Sequence, residues 1–392
     1  MSVSTLRCIL CKAELPPDNK PEHILLDALG GRATTKIATC PECNNNFGSG
    51  PDQELAKSVE LVKNSCLFKS GSGSNPPTIK NFVSDGHRFD IRPGMSLGIK
   101  QKSPLSVAVT DNDVTVSISA YSDADAENFI RGAATAIAKK LGRPDPKVIS
   151  AIEEDIAKDR KTTFQPAPIV KGEINLGSSA AMRAMAKACL VLWTRVVGNE
   201  ELQLDQYDSI RAYINDGYGF DEVSFGADAR PIPPSIPYRY SAYPNFIWVG
   251  SNGEGTVYGY FRLYGAVGWG FKLRQSDAPP NKTCLLISNP FENHIWDITS
   301  GDDGEIENNW FWHSHGQSPE DAQAAISHIN RLLKQCEETN LNNFYINLMK
   351  HHFQKLGYEE GDLPSNDDII EVTRKVAAAM AAQILRREIP TD

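Results

Sequence analysis

The chain has 392 residues and a net charge of -9, and 41% of its residues are hydrophobic. A single hydrophobic core rarely stabilises a chain of this length, so the length predicts two or three domains. The apolar fraction excludes a disordered chain. The negative charge argues against a protein that coats nucleic acid by bulk electrostatics, but a local site with a basic patch or bound cations stays compatible with it.

Two Cys-x2-Cys pairs stand close to the N-terminus. Such pairs place four thiolates around one tetrahedral Zn²⁺. The predicted ligands are Cys8, Cys11, Cys40 and Cys43. A closed four-thiolate site has no open position for water, so we expect this zinc to be structural and to replace part of the core that a short segment cannot build.

The remaining four cysteines are scattered through the chain: Cys66, Cys189, Cys284 and Cys336. We predict ordinary buried thiols, because a disulfide framework would have a different spacing and we expect a cytoplasmic protein. That expectation follows from the lack of a visible secretory signal and of a run of about 18 uncharged apolar residues, so no membrane association is predicted either.

The predicted elements of the first half begin with a helical pattern over residues 52–68, followed by a Gly-, Ser- and Pro-rich segment over 69–78. Alternating apolar and polar residues predict a β-rich region over 79–120. Helices are then predicted over 125–141 and 146–158.

The second half begins with a strongly apolar helix over residues 178–197, which we predict to be buried at the centre of the larger domain. A short helix follows over 205–215. Aromatic and β-branched residues interrupted by glycines predict an antiparallel sheet over 238–300. From Pro319 the chain is predicted to be helical again, with breaks near Asn340 and at Gly361–Pro364.

Three residues inside and next to the cysteine pairs suit phosphodiester hydrolysis, which needs a base to deprotonate water and a cation to hold phosphate oxygens. The imidazole of His23 suits the base near neutral pH. The carboxylate of Glu22 and the amide oxygen of Asn44 are hard ligands that suit Mg²⁺ or Mn²⁺. We therefore predict a zinc-stabilised frame that presents a second, catalytic cation.

These assignments have alternatives. Glu22 could instead form an ion pair with Lys20 or Arg32. Asn44 could cap a helix, and Asp52 is predicted to cap the helix that follows it.

Other polar residues give weaker signals. Arg32 and Lys36 would either contact phosphates or form a plain solvated face. His313 and His315 would share one face of a strand and could chelate a metal, but no acidic or cysteine partner stands at a suitable spacing.

The pattern CxxC…EHI…GG…CxxCNxxFG resembles the HNH endonuclease family, in its subgroup with four cysteines. It is also similar to phage Holliday-junction resolvases that share the ββα-metal fold. The resemblance covers residues 8 to about 60. It implies that His23 is the general base, that Glu22 binds the catalytic cation, and that Asn44 occupies the last position of the motif.

One position departs from the family pattern. The family has a middle Asn about five residues before the third cysteine, where this sequence has Thr35. Since that Asn braces the loop that carries the base, Asn45 or Asn46 is the candidate replacement.

The predicted fold class is α+β, with a small zinc-stapled ββα-metal domain followed by a larger mixed domain with an antiparallel sheet. We place an HNH nuclease domain at residues 1–70, a linker at 71–80 and a regulatory or targeting C-terminal domain at 81–392. The last is either one domain or two subdomains, 81–165 and 166–392.

The resemblance implies a metal-dependent endonuclease that cuts DNA. A partner protein or signal ligand is expected on the C-terminal domain, and a homo-oligomer is an open expectation. A role in bacterial antiviral defence rests on family analogy alone. The alternatives are a non-catalytic zinc-binding module for nucleic acid or protein, and a junction resolvase.

Overall fold

The computed structural model describes residues 5–84, 87–100, 105–109, 114–118, 123–158, 171–299, 308–312 and 318–384. His313 and His315 lie outside these ranges. The chain divides into two compact units, Met1–Pro77 with Glu173–Glu337, and Thr78–Gly172 with Glu338–Asp392.

The secondary structure is mixed. The strands are β1 (Glu22–His23), β2 (Thr34–Thr35), β3 (Ile79–Ser84), β4 (His87–Arg92), β5 (Ser96–Lys100), β6 (Leu105–Val109), β7 (Val114–Ile118), β8 (Ser224–Asp228), β9 (Asn245–Ser251), β10 (Val257–Leu263), β11 (Val267–Arg274), β12 (Thr283–Asn289) and β13 (His294–Thr299). The helices are α1 (Pro41–Gly48), α2 (Pro51–Ser58), α3 (Glu60–Ser65), α4 (Asp123–Lys140), α5 (Pro146–Lys158), α6 (Ser179–Val197), α7 (Asp208–Asp216), α8 (Phe220–Val223), α9 (Ser235–Arg239), α10 (Asn308–Trp312), α11 (Pro319–Lys355) and α12 (Asn366–Ile384).

The N-terminal segment forms a ββα arrangement. Strands β1 and β2 pair antiparallel, with Glu22 opposite Thr35 and His23 opposite Thr34. The connection between them passes through Gly31, where a Cβ atom would lie 1.7 Å from the carbonyl oxygen of Leu25, so only glycine fits there. Helix α1 follows β2 and completes the small domain.

Helix α6 is the centre of the first unit. Ser178 caps it by accepting a hydrogen bond from the Ala181 backbone N–H, and Gly198 ends it. It packs against α2 and against the sheet strands β9 to β12. One hydrophobic cluster therefore joins N-terminal residues such as Leu55 with α6 residues such as Trp193.

The sheet has six antiparallel strands in the order β13-β12-β9-β10-β11-β8. Every residue of the central strand β9 is buried, because α6 covers one face and an aromatic cluster covers the other. In that cluster the rings of Trp248 and Phe311 stack at 4.6 Å. The predicted α+β fold, with a small cysteine-containing domain and a larger domain with an antiparallel sheet, is confirmed.

The second unit contains a three-stranded sheet, β3-β4-β5, and a separate hairpin of β6 and β7. Helix α4 packs against α5 and against this hairpin. An ion pair joins Arg131 on α4 to Glu153 on α5, with 3.5 Å between Arg131 Nε and Glu153 Oε1.

Three sequence expectations need correction. The helical pattern over 52–68 is interrupted at Val59 and forms α2 and α3, and α11 runs without a break past Asn340. Cys66 and Cys336 form a disulfide rather than remaining thiols, whereas Cys189 and Cys284 are buried thiols, as predicted. The partners are 270 residues apart in sequence, so spacing could not reveal the pair.

The segment after α3 packs onto the turn between β1 and β2. The carbonyl of Asp27 accepts a hydrogen bond from the Gly71 N–H at 2.8 Å, and its carboxylate accepts one from the Ser72 N–H at 2.7 Å. The proposed boundaries of the nuclease domain and linker stay a prediction. Within the described ranges, no helix combines the length and apolarity needed to cross a lipid bilayer.

Candidate functional site

The four N-terminal cysteines come together in space, and all their sulfur atoms lie within 4.8 Å of one another. The Sγ atoms of Cys11 and Cys40 are 3.7 Å apart. A tetrahedral zinc with Zn–S bonds of about 2.3 Å requires sulfur atoms about 3.8 Å apart. The arrangement therefore fits a structural zinc site with four thiolate ligands.

The cysteine thiols of this cluster strongly shift one another's pKa values. A hydrogen bond with Cys43 lowers the pKa of Cys8 to about 5, whereas burial raises the pKa of Cys11 to about 11. The pKa of Cys43 is also raised, chiefly by its hydrogen bond to Cys8. The sulfur atoms are thus too close to ionise together on their own, and a divalent cation would resolve that repulsion.

Residues beyond α6 fasten the first cysteine pair to the rest of the unit. Arg211 on α7 donates from Nε to the carbonyl of Ile9 at 2.8 Å. Asn199 donates from Nδ2 to the carbonyls of Arg7 (2.6 Å) and Ile37 (2.7 Å). It therefore ties the residue before Cys8 to the segment before the second pair.

The loop before the second cysteine pair is braced by Asn19. Its Nδ2 donates to the carbonyls of Lys36 at 2.7 Å and Thr39 at 2.9 Å. Thr35, which replaces the family's middle Asn, accepts a hydrogen bond at Oγ1 from the Ile37 N–H at 3.3 Å. Asn19 thus joins the segment before β1 to the loop before the second cysteine pair, and the replacement of the middle Asn by Asn45 or Asn46 stays a prediction.

His23 is half-buried on β1. Its Nδ1 atom is buried and has no hydrogen-bond partner among the residues that the structure describes. A buried ring nitrogen without a partner costs free energy unless a ligand, water or substrate satisfies it. A ligand, water or substrate that reached Nδ1 would supply the missing partner.

Glu22, the neighbour of His23, is 3% exposed and is held at both carboxylate oxygens. Lys187 Nζ, on α6, lies 2.7 Å from Glu22 Oε1, and Thr39 Oγ1 donates to Oε2 at 3.1 Å. Its ion-pair partner is thus Lys187 and not Lys20 or Arg32.

Asp52 is the second partner of Lys187, with 2.6 Å between Asp52 Oδ2 and Lys187 Nζ. The prediction that Asp52 caps the helix is wrong, because Gly50 is the N-cap residue of α2. Burial raises the pKa of Asp52, and the nearby ammonium only partly offsets this. Burial by itself lowers the pKa of Lys187, but Asp52 and Glu22 outweigh it and the pKa is raised.

Asn44 lies on the first turns of α1, directly after the zinc-binding pair, and is half-buried. It is not the helix cap, because Cys40 holds that position and its sulfur accepts the N–H of Cys43 at 3.5 Å. Arg32 and Lys36 are exposed, and the Nε of Arg32 donates to the carbonyl of Gly71 at 2.8 Å.

The cysteine cluster, the ββα arrangement and the free imidazole nitrogen together have a counterpart among known families. Residues 8–60 match the HNH endonuclease family. No curated protein and no solved structure matches the chain. The match indicates nuclease chemistry in general, and hence a nucleic-acid substrate, for a short N-terminal part of the chain.

Within this HNH segment, sequence reasoning missed the residues that support the motif. Asn19 carries a weak signal, since an Asn close to the motif histidine is a candidate brace. Lys187, Asn199 and Arg211 carry none, because they stand more than 130 residues after the motif in the sequence and reach it only in the folded chain.

Proposed function

We propose that this chain is a metal-dependent HNH endonuclease that hydrolyses phosphodiester bonds in DNA, with His23 as the general base. The observation that carries the proposal is the buried and unpartnered Nδ1 of His23, within the described residues, on the strand that the zinc-binding pairs flank. A neutral imidazole can take a proton from water near pH 7.

Each residue then has a distinct task. His23 accepts the proton of the attacking water, and β2 holds its strand through the pairing opposite Thr34. Asn44 and Glu22 would hold Mg²⁺ or Mn²⁺, which supplies a positive charge for the phosphate oxygens. The zinc-binding cysteines keep β1 and α1 in a fixed relation.

The role of Glu22 as a cation ligand has a specific requirement. Each carboxylate oxygen carries two lone pairs. Lys187 and Thr39 each take one lone pair, on different oxygens. The proposal therefore requires that a remaining lone pair faces the cation, and Glu22→Gln should then weaken Mn²⁺ activation more than DNA binding.

The deciding experiment compares wild type with His23→Ala on supercoiled plasmid and on single-stranded DNA, with Mg²⁺, Mn²⁺ or EDTA. We expect wild type to nick or cut with either cation, EDTA to stop the reaction, and His23→Ala to lose at least about a hundredfold in rate, the scale of general-base catalysis. His294→Ala is the matched control, since His294 is exposed on β13. Equal zinc content in all three proteins shows that the fold is retained.

The same experiment can refute the mechanism or favour a non-catalytic module, and a second alternative, a junction resolvase, has its own measurements. If His23→Ala cuts at the wild-type rate, the mechanism is wrong. If wild type does not cut but still binds zinc, the segment is a non-catalytic interaction module. A junction resolvase would be an obligate dimer with symmetric cuts, which sedimentation and cleavage mapping detect.

We further propose that the region after residue 80 either senses a signal ligand or binds a partner protein that delivers the nuclease to DNA, as in an antiviral defence effector. The family match ends at residue 60, and the net charge of -9 makes the chain poorly suited to grip DNA unaided. Wild-type cleavage that stays slow until a partner or signal is added would support this role.

A further inference from the structure

Lys187 is a deeply buried cation next to the HNH segment, with 1% of the residue exposed. Its ammonium lies between two carboxylates that are also buried, Glu22 at 3% and Asp52 at 8% exposed. Taking three charges out of water is costly and is tolerated only when their geometry satisfies them. This cluster therefore fixes its members tightly in place.

The ammonium contacts three separate elements of the HNH segment. It is 2.7 Å from Glu22 on β1 and 2.6 Å from Asp52 on α2, and it lies 4.9 Å from the ring centroid of Phe47 on α1. Strand β1 carries His23 and helix α1 carries Asn44. One side chain from α6 thus contacts both elements that hold the proposed catalytic residues.

The strand geometry converts this contact into an orientation of the imidazole. Successive side chains of a strand point to opposite faces. Because Lys187 and Thr39 hold the Glu22 carboxylate, the rotation of β1 is restricted, and with it the direction of the next side chain, His23. A two-residue strand pairs with its neighbour through few hydrogen bonds, so its rotation depends on this anchor.

We propose that Lys187 is a positioning residue of the nuclease site, which acts through Glu22 to set the orientation of His23. This inference rests on the proposed function. It means that the HNH segment is not an autonomous catalytic domain, since part of its active-site support comes from a helix 165 residues further along the chain.

The test is a double-mutant cycle with Lys187→Met, Glu22→Gln and the combined variant. Lys63→Met is the matched control, because Lys63 is another buried lysine of the same unit, at 7% exposed, on α3. Zinc content, kcat and KM on plasmid DNA, and hydrogen exchange of the β1–β2 pair are measured for each protein.

We expect Lys187→Met to lower kcat at least about tenfold with KM within about twofold and zinc retained, whereas Lys63→Met keeps kcat. In the Glu22→Gln background, Lys187→Met should lower kcat by less than about threefold, because the effects of substitutions at residues that act as a unit do not add. A wild-type kcat for Lys187→Met, or additive losses, overturns the proposal.

Two readouts keep the result unambiguous. If Lys187→Met loses zinc, the kcat of the combined variant is compared with that of Glu22→Gln alone. Equal kcat values support the proposal, and a kcat that is a further tenfold lower in the combined variant overturns it. If wild type cuts no DNA, the proposed function fails on its own account. Hydrogen exchange then tests whether Lys187 positions β1. Faster exchange at β1 and β2 in Lys187→Met, but not in Lys63→Met, supports this role, and unchanged exchange in Lys187→Met refutes it.

Discussion

Asn199 makes the connection between the zinc-binding pairs that can be tested most directly. Its side chain accepts a hydrogen bond from the Arg7 N–H at 3.1 Å and donates to the carbonyls of Arg7 and Ile37 at 2.6 and 2.7 Å. The residue is 5% exposed. Asn199→Ala removes these three hydrogen bonds, and a long one from Gln203 at 3.5 Å, without changing a cysteine, so it tests whether the surrounding protein holds the zinc site together.

The magnitude follows from these contacts. A net hydrogen bond contributes about 1 kcal/mol, and water can replace part of what is lost at the Arg7 carbonyl, which also accepts from Gln203 at 3.2 Å. We therefore expect Asn199→Ala to lower the free energy of unfolding by about 2–3 kcal/mol. If zinc leaves through local opening, its release should accelerate about 30- to 150-fold, since 1.4 kcal/mol corresponds to tenfold.

The assay combines urea denaturation of the full chain with the rate of zinc transfer to a chromogenic chelator. Gln203→Ala is the control, because the hydrogen bonds of its side chain are 3.2 Å or longer, and it should change the free energy of unfolding by less than about 1 kcal/mol. If Asn199→Ala matches wild type in both stability and zinc release, the residue does not fasten the cysteine pairs and the reasoning fails.

Two further predictions concern metal and pH. The purified chain should carry one zinc, and a strong chelator should remove it and abolish protection of the N-terminal segment from hydrogen exchange. Purified protein without zinc, or protein whose hydrogen exchange is unchanged when zinc is removed, contradicts a structural site. Burial lowers the pKa of His328, whose ring nitrogen lies 3.0 Å from the Tyr264 carbonyl. Because the folded-state pKa is depressed, its contribution to stability is present above about pH 6.5 and is lost as pH falls through the folded value. Urea denaturation between pH 7 and 5 should thus show a steeper loss for wild type than for His328→Gln, and parallel losses would rule out this histidine as the cause.

Features fixed by neighbouring residues were predictable from the sequence. The cysteine pairs need only a local turn at each end, so their spacing predicted a cluster that the structure places within 4.8 Å. Helix α5 has the predicted bounds because its amphipathic pattern is uninterrupted. The break expected near Asn340 did not occur, since a modest helix propensity is outweighed by its context in α11.

Features that depend on distant contacts were not predictable. Glu22 has a charged neighbour in sequence at Lys20, yet its partner in the structure is Lys187. The sequence spacing of Cys66 from the other cysteines does not indicate a disulfide, and its partner Cys336 lies on α11. A single sequence carries no mark for such pairs, because loop closure over such lengths leaves many partners equally accessible. The roles of His23, Glu22 and Asn44 stay predictions.

The shared hydrophobic cluster of α2 and α6 limits how this protein can be recombined or engineered. Residues 5–77 cannot be transplanted alone, since a scaffold without α6 would expose Leu55 and leave the Glu22 and Asp52 carboxylates without their ammonium partner. A working chimera must carry along a helix equivalent to α6, with Lys at the position of Lys187, so sequence exchange between relatives should occur in blocks that respect this pairing.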